Sequence, residues 1–229
     1  MRALIVAGGD PLTNDQIRSI AEKSDLVLAA DSGLHSVLES RLLPDVFAGD
    51  MDSVAEEDKE RITKEKTEII YLPTEKDETD TMFCAMLAAE RGADEVVLIG
   101  ATGGKNSHML ANLFVLEYLR SRKVKARIIS RDEEFTLLHK GDKVTLFGHN
   151  GAKVSVFPYM GEATATKSSG LKYPLDHICF TDVFCGVSNE MTGNTAEIVG
   201  TEGKILVVAE NRGNGWDNSI AEIWMNEEV

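Results

Sequence analysis

The chain of 229 residues carries 24 Lys and Arg against 38 Asp and Glu, a formal net charge of −14. Such a surface excludes nucleic acid and anionic membrane as natural partners, because neither phosphate neutralisation nor counterion release is available to it. A phosphorylated substrate would have to be brought in by a metal ion or a local basic group. The length buries a full core as one large domain or two modest ones. No apolar run approaches the roughly 20 residues that span a bilayer, and the apolar start is too short for a signal peptide and lacks a cleavage pattern. Cys84, Cys179 and Cys185 are odd in number with no C-x-x-C spacing, which reads as reduced thiols in a cytoplasmic protein.

The first segment, residues 2–7, is a hydrophobic strand closed by Gly8-Gly9-Asp10, and residues 16–23 follow with helical spacing. Leu26-Val27-Leu28-Ala29-Ala30 is a second apolar strand ending in Asp31-Ser32-Gly33, with a helix over 34–41. A third strand, 45–48, ends at Gly49-Asp50-Met51-Asp52-Ser53, and a charged helix covers 56–66. Then come a strand at 69–72, a helix from Thr79 to about Gly92, a strand at 96–99, a helix over 109–119 and a strand at 126–129. Unbroken apolar strands alternating with helices predict a parallel sheet covered on both faces.

That pattern stops near Asp132. Beyond it the chain alternates apolar and polar residues between turn signals, at 135–138, 144–147, 154–157 and 205–208. Asn150-Gly151 between two such runs predicts a hairpin. The fold expected is an α/β parallel-sheet N-terminal domain, residues 1–132, followed by an all-β, sandwich-like C-terminal domain, residues 133–229.

The chemistry-bearing residues gather in the first half. Asp31, Asp50, Asp52 and Asp80 each follow a predicted strand or open the helix after one, and ligands of open parallel sheets collect beyond the carboxyl ends of the strands. A solvated turn uses the same residue types. Four acids on one rim, however, repel one another unless a cation neutralises them, which points to a metal–phosphate site. Asp50 and Asp52, two apart on an extended backbone, would face the same way and share one hard cation. The loop Gly100-Ala101-Thr102-Gly103-Gly104-Lys105-Asn106-Ser107 lies between strand and helix as a P-loop does, but Asn106 stands where that motif needs Ser or Thr. What remains is a permissive backbone at a helix N-terminus, suited to an anion, with Lys105 as a point charge and His108 adjoining. His35, His139, His149 and His177 receive no role. Trp216, in a glycine-rich turn, reads as a loop anchor.

In order along the chain, Ala30-Asp31-Ser32-Gly33, Gly49-Asp50-Met51-Asp52-Ser53, Lys76-Asp77-Glu78-Thr79-Asp80, Gly100-Ala101-Thr102-Gly103-Gly104, His108 with Leu110-Ala111-Asn112, Ser169-Gly170-Leu171-Lys172-Tyr173 and Ser188-Asn189 form a signature. On these stretches the chain resembles the thiamine pyrophosphokinase family along nearly its whole length. The resemblance implies an ATP- and Mg²⁺-binding catalytic domain, a thiamine-binding β-domain, and a homodimer with active sites at the subunit interface. It implies pyrophosphoryl transfer from ATP to the hydroxyl of thiamine, giving thiamine diphosphate and AMP. Asp31, Asp50, Asp52, Asp80, Lys105 and His108 would serve catalysis, with Asp50, Asp52 and Asp80 holding Mg²⁺. Asp77, Thr79, Thr102, Gly103, Gly104, Ser107, Ser188 and Asn189 would bind the substrates, the last two meeting thiamine from the partner subunit.

The chain departs from the family at the glycine loop, where Gly-Gly-Arg-x-Asp-His is usual and Gly103-Gly104-Lys105-Asn106-Ser107-His108 stands here. Lys keeps the charge without the bidentate fork, and Ser107 removes a carboxylate. Where some relatives place an aromatic that stacks on thiamine, this chain has Ile205-Leu206-Val207. Three readings follow: an active thiamine pyrophosphokinase, slowed at Ser107; a pyrophosphokinase for another small alcohol such as a pterin; and a ligand-binding relative with weak catalysis.

Overall fold

The computed structural model describes residues 1–52, 54–211 and 221–226. The chain divides into two compact units, Met1–Ser130 and Arg131–Val229.

The first unit runs β1 (Arg2–Val6), α1 (Asn14–Ala21), β2 (Leu26–Ala30), α2 (Gly33–Glu39), β3 (Val46–Gly49), α3 (Glu56–Lys64), β4 (Glu68–Tyr71), α4 (Asp80–Glu90), β5 (Glu95–Ile99), α5 (Asn106–Ser121) and β6 (Lys125–Ile129). Its strand order is β6-β5-β1-β2-β3-β4, every neighbouring pair parallel. Consecutive residues of β1, β2, β3 and β5 are buried, so both faces of the sheet are covered, as the unbroken apolar runs require. Two helix groups supply the cover: α1 and α3 pack on α2, and α5 packs on α4. Helix α1 starts with a capping box, Thr13 accepting from the Gln16 amide while the Gln16 side chain accepts from Thr13, which satisfies two otherwise orphaned donors.

The path of α4 decides where the site forms. After β4, on the edge, the chain must return past β1 to reach β5 on its far side. Helix α4 therefore crosses over β3, β2 and β1, and its N-terminus arrives above the carboxyl ends of the central strands. The sheet order reverses between β1 and β5, the place where a crevice opens in such sheets.

The second unit contains β7 (Glu133–Leu138), β8 (Lys143–Phe147), β9 (Lys153–Pro158), β10 (Ala163–Ser169), β11 (Ile178–Phe180), β12 (Gly186–Glu190), β13 (Thr195–Glu202), β14 (Ile205–Glu210) and β15 (Ala221–Trp224). They form two antiparallel arrays, β12-β9-β14-β7 and β11-β10-β13-β8-β15. The alternate residues of both arrays, among them Val144, Leu146, Val154, Val156, Ile198 and Val207, meet in one core, the arrangement of a sandwich.

Here one expectation is corrected. Asn150-Gly151 does make a turn, with Gly151 at φ 87° and the Ala152 amide donating to His149 O. Yet β8 pairs with β13 and β15 whereas β9 pairs with β12 and β14, so the turn passes the chain between sheets and closes no hairpin. Alternation buries Val144 and Leu146 as well as Val154 and Val156, and facing sheets satisfy that pattern as well as paired strands do. Ile205, Leu206 and Val207 are buried in β14 and offer no stacking surface. Trp216 and Ser53 lie outside the described residues.

Candidate active site

A cavity of about 380 Å³ opens in the first unit at the carboxyl ends of β5, β1 and β2. Two glycine turns make its floor. The Gly9 amide donates to Gly100 O at 2.6 Å and the Asp10 amide to Thr102 O at 2.8 Å, stitching the end of β1 to the end of β5. Such closeness leaves no room for side chains: a Cβ on Gly9 would lie 2.3 Å from Thr102 O. Gly103, at φ 74°, would place one 2.1 Å from Cγ of Asp10. Asn112, buried on α5, donates from Nδ2 to Ala101 O at 2.8 Å and holds the second turn from behind.

The expected residues divide into those that line this cavity and those that do not. Asp31, Thr79, Asp80, Gly103, Gly104, Lys105 and His108 line it. Asp31 sits at the end of β2 with φ 50°, its amide donating to Ala48 O; the left-handed turn swings the chain from strand into α2. Thr79 caps α4, its hydroxyl accepting from the Met82 amide at 3.1 Å, which sets Asp80 as the first helical residue. Helix α5 begins at Asn106, earlier than periodicity placed it, so Ser107 and His108 lie in its first turn. Ser107 and Asp77 are exposed and outside the cavity wall. Thr102 contributes its carbonyl to Asp10.

Asp50 and Asp52 stand at the end of β3, also outside that wall. Their expected backbone is corrected: the segment is a turn, with Met51 buried at φ 67°, and Asp50 Oδ1 accepts from the Asp52 amide at 3.0 Å. The inference from extended geometry fails because a side chain–backbone bond competes successfully at Asp residues. Asp80 Oδ1 is buried without a hydrogen bond, although Lys76 Nζ lies 3.0 Å away. Among the described residues no three His, Cys, Asp or Glu side chains converge on one point. The donor set is hard carboxylate oxygen throughout, which suits a small divalent cation that keeps most of its ligands from water and phosphate.

In the second unit, Ser188 and Asn189 have opposite surroundings. Between its pairings to Val156 and Val154, β12 holds one residue more than β9, a bulge of the kind that re-aims a side chain. Ser188 is exposed there at φ 58°. Asn189 is 3% exposed. Its Oδ1 accepts from the Tyr173 amide at 3.0 Å and its Nδ2 donates to Tyr173 O at 2.7 Å. It clamps the backbone of a tyrosine whose ring is exposed. Glu190 next to it accepts from Lys153 Nζ at 2.6 Å and Lys172 Nζ at 2.9 Å; the two ammonium groups, Lys153 first, hold its carboxyl down at about 2.

Sequence reasoning passed over Gly8 and Gly9 as site residues, though a glycine pair closing the first strand of a parallel sheet was the available signal. Ser32 stood in the signature stretch 30–33 without a role of its own, and Met109 carried no signal beyond adjacency. Cys84 on α4 is fully buried, and burial pushes its thiol well up, so it is inert packing. No helix of the described residues is long and apolar enough to cross a membrane.

The comparisons with known proteins agree with each other. The family model for the thiamin pyrophosphokinase catalytic domain matches residues 17–128, and that for its vitamin B1 binding domain matches residues 142–205. Thiamine pyrophosphokinase of Bacillus subtilis is 26% identical over 89% of this chain and 96% of its own. The crystal structure of a Bacillus subtilis thiamine pyrophosphokinase superposes with a TM-score of 0.81 at 24% identity, over 93% of this chain and all of that one, a likeness of fold. That of Geobacillus thermodenitrificans thiamin pyrophosphokinase gives 0.78 at 26% identity, over 93% and 99% of the two chains. Both halves of one enzyme family match in sequence order, on the fold that carries this cavity, and the chain belongs to the thiamine pyrophosphokinase family.

Proposed function

We infer that the protein is a thiamine diphosphokinase, transferring a pyrophosphoryl group from ATP to thiamine to give thiamine diphosphate and AMP. The observation that carries this is the cavity itself: two interlocked glycine turns beside Asp31 and Asp80 at a sheet reversal, in a chain matched by both domains of the family. The thiamine hydroxyl oxygen bonds to the β-phosphorus, the bond from that phosphorus to the α–β bridging oxygen breaks, and AMP leaves. The hydroxyl proton passes to a carboxylate of the rim or to water. This chemistry asks chiefly for alignment and charge neutralisation.

The glycine turns accept phosphate oxygens against the backbone at the start of α5, where unpaired amides favour anions, and Lys105 adds a positive charge. Asp50, Asp52 and Asp80 would hold Mg²⁺, which when bound neutralises the triphosphate. The acidic rim also attracts the positive charge of thiamine. Ser188 contacts the acceptor from its bulge, while Asn189 holds Tyr173 in place. Ser107, lacking the carboxylate usual in the family, sets a slow rate. We further propose a cytoplasmic homodimer in which the partner subunit brings the Ser188 segment to the cavity; the three free thiols suit that compartment.

Incubation with ATP, Mg²⁺ and thiamine, read by mass spectrometry, should yield thiamine diphosphate and AMP in equal amounts. AMP release with a pterin or another alcohol but not with thiamine would overturn the acceptor. Mixed dimers of Asp50→Asn with Ser188→Ala protein should each hold one site intact at both residues, so mixing should bring KM for thiamine back toward the wild-type value; a KM that stays at the Ser188→Ala value would overturn the shared site.

A further inference from the structure

Lys76 lies in the connection between β4 and α4, with its side chain only 12% exposed. Its Nζ donates to Pro73 O at 3.0 Å and lies 3.0 Å from Asp80 Oδ1, at an angle that makes no hydrogen bond. Asp80 lines the cavity and Lys76 does not, so the ammonium stands behind the carboxylate. Because Oδ1 is buried while the Asp80 side chain keeps 25% exposure, that exposure belongs to the rest of the side chain, Oδ2 included. The carboxylate is thus divided, one oxygen toward Lys76 and one left for the cavity.

Stability does not explain this lysine. Burying an ammonium costs free energy, and a cation beside the N-terminus of α4 opposes the helix macrodipole. We propose that Lys76 is a positioning residue for the reaction inferred above, acting through Asp80 to aim Oδ2 at the divalent cation that accompanies the triphosphate. Outer partners of ligating carboxylates commonly matter about 10–100-fold in metal affinity. The Pro73 carbonyl fixes the ammonium and Thr79 fixes the helix start, so the carboxylate is held at both ends of its reach.

The direction of the effect separates this proposal from simple electrostatics. Removing a nearby cation should tighten metal binding by Coulomb attraction alone; removing a positioning group should weaken it. Mn²⁺ binding to the nucleotide-free, full-length protein, followed by electron paramagnetic resonance, reads this without turnover. Lys76→Met should weaken Mn²⁺ binding about tenfold, Lys76→Arg should restore most of it, and Lys76→Met should add nothing once Asp80→Asn is present. Thermal melts of each variant establish folding, and Lys76→Gln replaces the Met variant if that one does not fold. Unchanged or tighter binding, an additive double variant, or a wild-type protein that binds no Mn²⁺ would overturn the proposal. Thiamine diphosphate formation plays no part in this readout, so failure of the acceptor assignment would show separately.

Discussion

The two units present their candidate residues by different physical means. In the first unit the backbone does it: strand ends, left-handed turns at Asp31 and Gly103, and helix starts at Asp80 and Asn106. The glycines matter there for the atoms they lack. In the second unit Ser188 and Asn189 lie inside a strand, where a regular pleat would fix their directions; a bulge frees one, and the other is spent on a side-chain clamp. The first device should therefore fail when a methyl group is added. The second should fail when a side chain is cut back.

The largest effect tests the acids of the first unit. Asp50→Asn or Asp52→Asn should lower kcat/KM for ATP by on the order of 10³-fold, since charge neutralisation of a triphosphate is worth several kcal/mol. The fold should persist, because Asp52 is exposed and Asn at position 50 keeps the oxygen that accepts from the Asp52 amide. Near wild-type turnover at limiting Mg²⁺ would remove the metal from this rim.

Next comes the backbone device. Gly103→Ala places a Cβ against the Asp10 carboxylate at a positive φ, a conformation costing roughly 1–2 kcal/mol for a residue with a side chain. KM for ATP should rise about tenfold, with KM for thiamine little changed. Adding Asp10→Ala removes the clash but not the dihedral strain, so it should recover part of the loss. Full recovery would mean that only space, and not backbone conformation, is at stake.

In the second unit the expected effect is smaller and falls on the other substrate. Ser188→Ala should raise KM for thiamine several-fold, as lost uniform binding does. Asn189→Ala should do so as well and also lower stability by about 1–3 kcal/mol, because it leaves the Tyr173 amide and carbonyl without partners. Tyr173→Ala in the Asn189→Ala background should then add little. An equal rise in KM for ATP would refute the division between the units.

Those contrasts also explain what could be read from the sequence. The parallel sheet was legible because β1, β2, β3 and β5 are buried on both faces and read as unbroken apolar runs. The positions of the acids were legible because βα connections put Asp31 and Asp50 at strand ends and Asp80 at a helix start. The Gly9–Gly100 stitch was not, since β1 and β5 are neighbours only through a crossover that no local signal encodes. The turn at Asp50–Asp52 was misread because local hydrogen bonding competes with extension. The destination of the Asn150-Gly151 turn was invisible because paired strands and facing sheets share one alternation. Ser188 and Asn189 carry no periodic signal; only the resemblance singles them out, and burial alone distinguishes the Asn189 clamp from the exposed Ser188.

The smallest effect concerns Glu190, whose charge is spent on two lysines of its own unit, whereas the acids of the first unit are proposed to serve chemistry. Its carboxylate joins Lys153 on β9 to Lys172 beside Tyr173, and the Lys172 backbone amide donates a hydrogen bond to Glu190 O at 2.8 Å. The two ammonium groups lower its pKa from 4.5 to about 2. A folded-state value below the unfolded one means a contribution present above the unfolded pKa and lost as pH falls through the folded one. The melting temperature of wild type minus that of Glu190→Gln should therefore be positive and level above about pH 5, then shrink toward zero as pH approaches about 2. The site is open to water, so the difference should be modest and should fall further in high salt. KM for thiamine should hardly move in Glu190→Gln, since the Asn189 clamp on Tyr173 survives it. A difference independent of pH would show that the triad lends no electrostatic stability. A large rise in KM would show that the clamp depends on the triad, and that the second unit uses its charges on substrate, as proposed for the first.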